Sequence, residues 1–314
     1  MDDRRVLGST GLPVTAICVG TASLGSASYT YGYPVSAEVG EATVEAALAG
    51  PFNFIDTSNS YGWGASETCI GAVLRRHGGI PDGIVLSTKV DADRVTRDFS
   101  GERVRRSVEE SLTRLGLDSV QLMYLHDPEF YLTAAEALAD DGPVAALVAL
   151  RDEGVLEHIG VAAGDVPLMR ELVASGAFEV VLNHNRHTLL DRGAEPLIED
   201  AVSRGMAYVN AAPYGGGILA KGLSRDHKYG YRPAPDAVVE AVAAMQRACD
   251  EHGVALAAAA LQFSLRDPRV SCTVVGMSEP ARITETIALA THPIPEELWP
   301  RLEALLPAPE HWLR

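Results

Sequence analysis

Short runs rich in β-branched and aliphatic residues recur along the chain, each followed by a longer stretch in which apolar residues return at helical spacing. Eight such runs stand out: TAICVG (15–20), FNFIDT (52–57), IVLSTKV (84–90), VQLMYLH (120–126), LEHIGVA (156–162), FEVVLNH (178–184), AYVNAA (207–212) and CTVVGM (272–277). A strand followed by a helix, repeated, forces parallel pairing through right-handed crossovers, and eight such units are what a (β/α)8 barrel requires. Between the third and fourth runs, Val104, Val108, Leu112 and Leu115 keep helical spacing. Ser100 is placed to cap the start, Glu102 suits the positive end and Gly116 is placed to stop the helix. Ahead of the first run, RRVLGSTGLPV predicts a short hairpin turned at 9–11 that plugs the barrel bottom. The connection from Gly215 to Asp236, rich in Gly, Pro, Lys and Tyr, is long enough to be a functional loop.

Composition supports this reading. A chain of 314 residues with 47% hydrophobic and 22% charged residues can bury a large core, and no composition shift divides it, so 1–314 reads as one domain. A doubly wound open sheet is the alternative, but its nucleotide site is announced by GxGxxG after the first strand, where this chain has TASLGSAS. The formal net charge of −16 disfavours non-specific attraction to nucleic acid or an anionic membrane, which leaves a small molecule as the expected partner. The four cysteines, Cys18, Cys69, Cys249 and Cys272, form no CxxC pair and have no His at metal-ligand spacing; they read as reduced core thiols, and no metal is expected. The start MDDRRVLGSTGLPV lacks a secretory pattern and no apolar run approaches a membrane span, so a cytoplasmic location is expected.

In a parallel barrel the reacting groups gather at the carboxyl ends of the strands. Three consecutive strands end on ionisable residues, Asp56, Lys89 and His126, and Tyr61 follows Asp56 on the next loop. Each alone has an ordinary explanation as a helix cap, a surface charge or a core histidine. Together they form a proton-transfer device. A phenol of ordinary pKa ~10 is inert at neutral pH until a neighbouring ammonium favours its anion; a carboxylate keeps that ammonium charged and aimed, and the imidazole holds the substrate oxygen.

In type, order and placement these four residues are similar to the catalytic tetrad of the aldo-keto reductase family, and the resemblance covers nearly the whole chain. RRSVEESLTRLGLDSVQLMYLHDP from Arg105 resembles the family's helix-strand signature, and PYGGGILAKG from Pro213 its loop after the seventh strand. Within the family, LHDP, HTLLDR from His187 and NAAPYGGGILAKG from Asn210 look most like the branch of dehydrogenases acting at C1 of L-fucose, L-galactose, D-arabinose and related aldoses, with a pyridoxal dehydrogenase among them. The resemblance implies a nicotinamide dinucleotide, NAD or NADP, held by Gly20 and Thr21 after the first strand, Asn183 and His184 after the sixth, Tyr214, Gly215, Gly216, Gly217 and Leu219 after the seventh, and Gly276, Met277, Ser278 and Arg282 after the eighth. Glycines allow close backbone approach to a pyrophosphate, and a helix start favours phosphate.

Departures from the family pattern matter. The Ser-Asn pair that commonly holds the nicotinamide amide is Ala162 and Ala163, the usual glutamine of the sixth strand is His184, and the stacking tyrosine is Ala211. Asn183, His184, Asn185 and Asn210 are the available replacements, or plain strand-end polar groups. Arg282 matches the arginine that meets a 2′-phosphate, but the lysine six positions earlier is Gly276, and Glu279 and Glu285 add negative charge, so NAD is favoured. Tyr29, Tyr31, Tyr33 and Trp63 either stack on a sugar or are ordinary loop aromatics. The expected function is hydride transfer between a nicotinamide and C1 of an aldose, giving a lactone. The alternatives are an NADPH-dependent aldehyde or ketone reductase and, from another class, a redox-sensing regulatory subunit resembling the potassium-channel β subunits.

Overall fold

The computed structural model describes residues 4–25, 33–221, 223, 228–230 and 232–313. All eight apolar runs are strands, and they close into a parallel barrel: Ile17–Gly20, Phe54–Asp56, Val85–Val90, Val120–His126, Leu156–Ala163, Val180–His184, Ala207–Ala211 and Val270–Gly276, the last pairing with the first. Along each strand the side chains alternate between the lumen and the helix layer. Cys18, Phe54, Val85, Leu122, Tyr124, Val180, Leu182, Val209 and Cys272 fill the lumen in one cluster. Ile17, Val19, Ile55, Leu86, Met123, Val161, Val181 and Tyr208 belong to the cluster under the helices. The packed lumen closes the barrel below its carboxyl-end mouth.

The helix Gly101–Leu115 forms as its pattern requires. The Ser100 side chain accepts from the Arg103 backbone N–H, Val104, Val108 and Leu115 are buried, and Gly116 ends the helix at φ 73°. The amino-terminal hairpin pairs Arg5–Val6 with Pro13–Val14 and inserts Leu7 and Val14 into the lumen cluster, as the sequence predicted. Its approach is close: Gly8 has φ 58°, and a Cβ there would lie 2.3 Å from the Ala207 backbone nitrogen at the start of the seventh strand. Arg5 seals the other side by donating to the Val270 carbonyl at 2.7 Å.

The long connection after the seventh strand carries two helical turns, Gly215–Gly217 and Ile218–Lys221, and a short antiparallel pair, Lys228–Tyr229 with Arg232–Pro233. All four cysteines are free and buried. Among the described residues no helix is long and apolar enough to cross a membrane.

Candidate active site

Asp56, Lys89 and His126 share the lumen-facing parity of Phe54, Val85 and Tyr124, so three strands deliver them to one mouth. Lys89 Nζ donates to Asp56 Oδ2 at 2.5 Å and to the Thr57 carbonyl at 2.6 Å, while Ser87 Oγ donates to Asp56 Oδ1 at 2.7 Å. The ion pair is almost inaccessible, with side-chain exposures of 1% for Lys89 and 4% for Asp56. The Thr21 hydroxyl donates to the Asp56 carbonyl at 2.8 Å, which ties the end of the first strand to the second. Tyr61 sits on the short helical turn Tyr61–Gly64 with the Lys89 ammonium 4.8 Å from its ring centroid. The imidazole of His126 meets the Tyr61 ring edge to face, with centroids 5.7 Å apart. The four expected residues therefore converge.

Two carboxylates that the sequence reading left without a role flank His126. Asp91, just past the third strand, has Oδ1 2.8 Å from His126 Nδ1, while its Oδ2 accepts from Ser58 Oγ at 2.5 Å and from the Ser60 backbone N–H at 3.1 Å. Asp127 Oδ2 lies 3.6 Å from His126 Nε2, and its Oδ1 lies 3.5 Å from His184 Nε2. Asp127 takes a left-handed backbone (φ 45°), pinned by its N–H donating to the Ala162 carbonyl at 2.8 Å. Burial works against a charged imidazole, but the Asp127 and Asp91 charges outweigh it and hold the His126 pKa above the ordinary histidine value. Burial likewise would raise Asp127, but the His126 and His184 charges pull its carboxyl down to about 2. Glu129, which accepts from Gly164 N–H at 2.8 Å and Asp165 N–H at 3.2 Å, is pushed up by burial and by the Asp127 charge.

The residues singled out for a cofactor divide into two groups. Asn183 faces the helix layer, its amide donating to the Ala163 carbonyl at 2.9 Å. Asn210 does the same, donating to the His187 carbonyl at 2.9 Å and Ser264 Oγ at 2.7 Å. Both are fully buried structural amides. His184, on the opposite parity, is at the mouth beside Asp127, with Asn185 Nδ2 3.3 Å from its Nδ1. Gly20 backs onto the eighth strand, where a Cβ would lie 2.8 Å from Val274. Leu219 and Met277 are buried in the core, their backbone N–H groups donating to the Tyr214 carbonyl at 3.2 Å and the Gly20 carbonyl at 2.9 Å, and Ser278 is nearly buried.

The seventh-strand loop and the start of the helix Ala281–Thr291 fit a dinucleotide. Gly215, Gly216 and Gly217 have φ of 60°, 77° and 106°; Gly215 is buried against Tyr229, while Gly216 and Gly217 are partly exposed and, lacking side chains, allow close backbone approach. Burial pushes the Tyr214 phenol up to about 12, and the Arg282 charge opposes it. A Cβ on Gly276 would touch nothing within 4 Å. Arg282 is half-exposed and bonded to Glu285 at 3.1 Å. Of the aromatic residues, Trp63 is 68% exposed at the rim with the Arg94 guanidinium 4.8 Å from its ring, and Tyr33 has Lys221 Nζ 5.4 Å from its ring. Tyr29 and Tyr31 lie outside the described residues.

Comparison with known proteins agrees with this geometry. Residues 16–307 match the model of the aldo/keto reductase family. The chain is 31% identical to pyridoxal 4-dehydrogenase of Microbacterium luteolum, covering 96% of this chain and 97% of that protein. It is 32% identical to D-threo-aldose 1-dehydrogenase of a Pseudomonas species (95% and 97%) and 31% identical to L-galactose dehydrogenase of Arabidopsis thaliana (91% and 88%). In fold it resembles the holo form of aldo-keto reductase AKR11C1 from Bacillus halodurans, with a TM-score of 0.79 at 21% identity over 97% of this chain and 96% of that one. With its buried Asp-Lys pair beneath a tyrosine at the barrel mouth, the chain belongs to the aldo/keto reductase family and is an NAD(P)-dependent oxidoreductase.

Proposed function

We propose that this enzyme oxidises a cyclic aldose at C1 to the lactone, with NAD as the favoured cofactor. The observation that carries the reading is the buried Lys89–Asp56 pair under Tyr61, beside an imidazole flanked by carboxylates. Support for the substrate class comes from the relatives that act on D-threo-aldoses and L-galactose. Pyridoxal, named for a third relative, closes to a cyclic hemiacetal and so offers the same functional group as an anomeric carbon.

A bound nicotinamide dinucleotide supplies the acceptor for the hydride that leaves C1. The protein handles the proton. Tyr61 as phenolate takes the proton of the anomeric hydroxyl as its O–H bond breaks, and Lys89 favours that phenolate through its charge. Asp56 holds Lys89 charged and aimed, and His126 hydrogen-bonds the reacting oxygen. In the reverse direction Tyr61 begins protonated and acts as the general acid. Gly215–Gly217 and the Ala281–Thr291 helix start would hold the pyrophosphate and adenosine side, with His184 and Asp127 at the nicotinamide side. Arg282, already paired with Glu285, offers a 2′-phosphate little net charge, which is why NAD is favoured.

The test is a screen of L-fucose, L-galactose, D-arabinose and pyridoxal with NAD and NADP separately, following reduced-cofactor absorbance. Brisk oxidation of at least one with NAD is the expected result. Absence of all four oxidations, alongside rapid reduction of a reactive aldehyde with NADPH, would discard the aldose reading and leave the family intact.

A further inference from the structure

We propose that Asp91 is a positioning residue whose carboxylate, anchored to the loop that carries Tyr61, fixes a proton on His126 Nδ1 and thereby presents Nε2 to the reacting oxygen. This rests on the proposed reaction, in which His126 meets that oxygen.

Asp91 is held as a carboxylate. Its Oδ2 accepts from two donors, the Ser60 backbone N–H at 3.1 Å and Ser58 Oγ at 2.5 Å, which is the pattern of an ionised, acceptor-only carboxylate. Its Oδ1 then faces His126 Nδ1 at 2.8 Å. A bare Nδ1 would set a ring lone pair against a carboxylate lone pair at that distance, so Nδ1 carries hydrogen in both charge states of the ring. The neutral ring then has its lone pair on Nε2, able to accept from the hydroxyl of an incoming alcohol before that one hydrogen turns to the Tyr61 phenolate. The protonated ring has hydrogen there and donates to the oxygen of a carbonyl. One orientation therefore serves the two oxygens that the reaction interconverts.

The same carboxylate also places Tyr61. Ser58 and Ser60 precede Tyr61 on its loop, so the bonds to Asp91 fix the entry to the turn Tyr61–Gly64 and hold phenol and imidazole in register across 5.7 Å. The charged and titratable groups facing His126 are Asp91 and Lys89 from the third strand and its end, Tyr61 from the second-strand loop, and Asp127 from its own strand end, with His184 beyond Asp127. Lys89 opposes charge on the ring, and the two carboxylates favour it. Besides Asp91, Nδ1 meets Ser58 Oγ at 3.2 Å, a hydroxyl whose single hydrogen is given to Asp91 Oδ2, so Ser58 Oγ can only accept from Nδ1 and favours the same tautomer.

The test has two readouts. In the unmodified protein labelled with 15N-histidine, with the His126 signal identified by its loss in His126→Gln, Nδ1 is expected to be protonated throughout the titration, Nε2 alone exchanging its proton. In Asp91→Asn the neutral ring is expected to lose that fixed tautomer. Its kcat should fall on the order of 10–100-fold, the scale at which partners orienting an imidazole act, with KM and cofactor affinity unchanged and the acid limb of the pH profile moved to lower pH. A bare Nδ1 in the unmodified protein overturns the proposal. So does an Asp91→Asn protein that keeps the tautomer and loses activity only through KM or cofactor affinity, the result for a mere loop anchor. The tautomer is read without substrate, so finding it as expected while no sugar is oxidised supports the Asp91 assignment and removes the sugar reading alone.

Discussion

Lys89 Nζ lies 4.8 Å from the centroid of the Tyr61 ring, while it donates to Asp56 at 2.5 Å and to the Thr57 carbonyl at 2.6 Å. Two of the three donors of the ammonium are thus spent on holding it in place, and its charge is delivered to a phenol that lies closer to solvent. The pair is stabilised by fixed partners at the floor of the site, so the field at Tyr61 is organised before substrate arrives.

That arrangement predicts the behaviour of Tyr61→Phe. The ring packs at the rim and the ion pair beneath it keeps its own partners, so the variant should fold with an unchanged melting temperature. Turnover should drop by about 10²–10⁴-fold, the usual contribution of a positioned acid or base. Steady-state kinetics beside a thermal melt checks this, and retention of more than roughly a tenth of the activity would remove Tyr61 from its role.

Lys89→Met should act differently, because it leaves Asp56 buried without its cation. Breaking a buried pair by removing one partner costs about 3–5 kcal/mol, so both stability and activity should fall. Adding Asp56→Asn removes the stranded charge and should recover most of the stability while activity stays lost. Denaturant unfolding of the two variants decides it; equal instability in both would contradict the account.

Gly276→Lys tests the cofactor side. The position has open space where a side chain would begin, and Arg282 nearby is already bonded to Glu285. The new ammonium should shift preference towards NADP by about 1 kcal/mol, roughly fivefold, as for a partly exposed charge pair. Fluorescence titration with both cofactors reads the ratio. Wild-type protein binding NADP more than a hundredfold over NAD, about 2.7 kcal/mol, would overturn the assigned preference.

Much of this was legible in the sequence, for physical reasons that particular residues show. The strand period of two places Asp56, Lys89 and His126 on the face shared by Phe54, Val85 and Tyr124, so their convergence follows once the barrel closes. The same parity turns Asn183 and Asn210 outward to Ala163, His187 and Ser264. As strand-end polar residues they are candidates for the nicotinamide carboxamide, but the alternation turns both away from the lumen. Asp91 left no local signal. It stands one residue beyond Val90, and its partner is 35 residues away, a contact that only barrel closure makes. The Asp127 of LHDP was visible, but nothing in its neighbours announces a left-handed backbone or a contact with His184.

The amino-terminal plug gives a prediction remote from the chemistry. Gly8→Ala would put a Cβ 2.3 Å from the Ala207 backbone nitrogen at a residue with φ 58°. Neither backbone can yield without moving a barrel strand, so the variant should lose about 1–3 kcal/mol of stability. At temperatures where it remains folded its kcat should match the parent, since the plug and the tetrad lie at opposite ends of the packed lumen.

His126 has its pKa raised in the folded protein: burial opposes the charge, but Asp127 and Asp91 outweigh it. Between the unfolded value of about 6.5 and the higher folded value, the folded state binds more protons than the unfolded one, and stability must fall as pH rises. The contribution is complete below about pH 6.5 and is lost through the folded pKa. Asp127 has the opposite sign. With a carboxyl held at about 2 by its histidine partners, its contribution is present above the unfolded value and is lost as pH falls towards 2. Because the two groups face each other, they should be read together as one ion pair whose stability is greatest between these limits. Urea unfolding of the parent and of His126→Gln across both windows measures the difference directly. The parent should lose its advantage over the variant on both flanks, and a difference independent of pH would show that His126 is not charged in the folded protein.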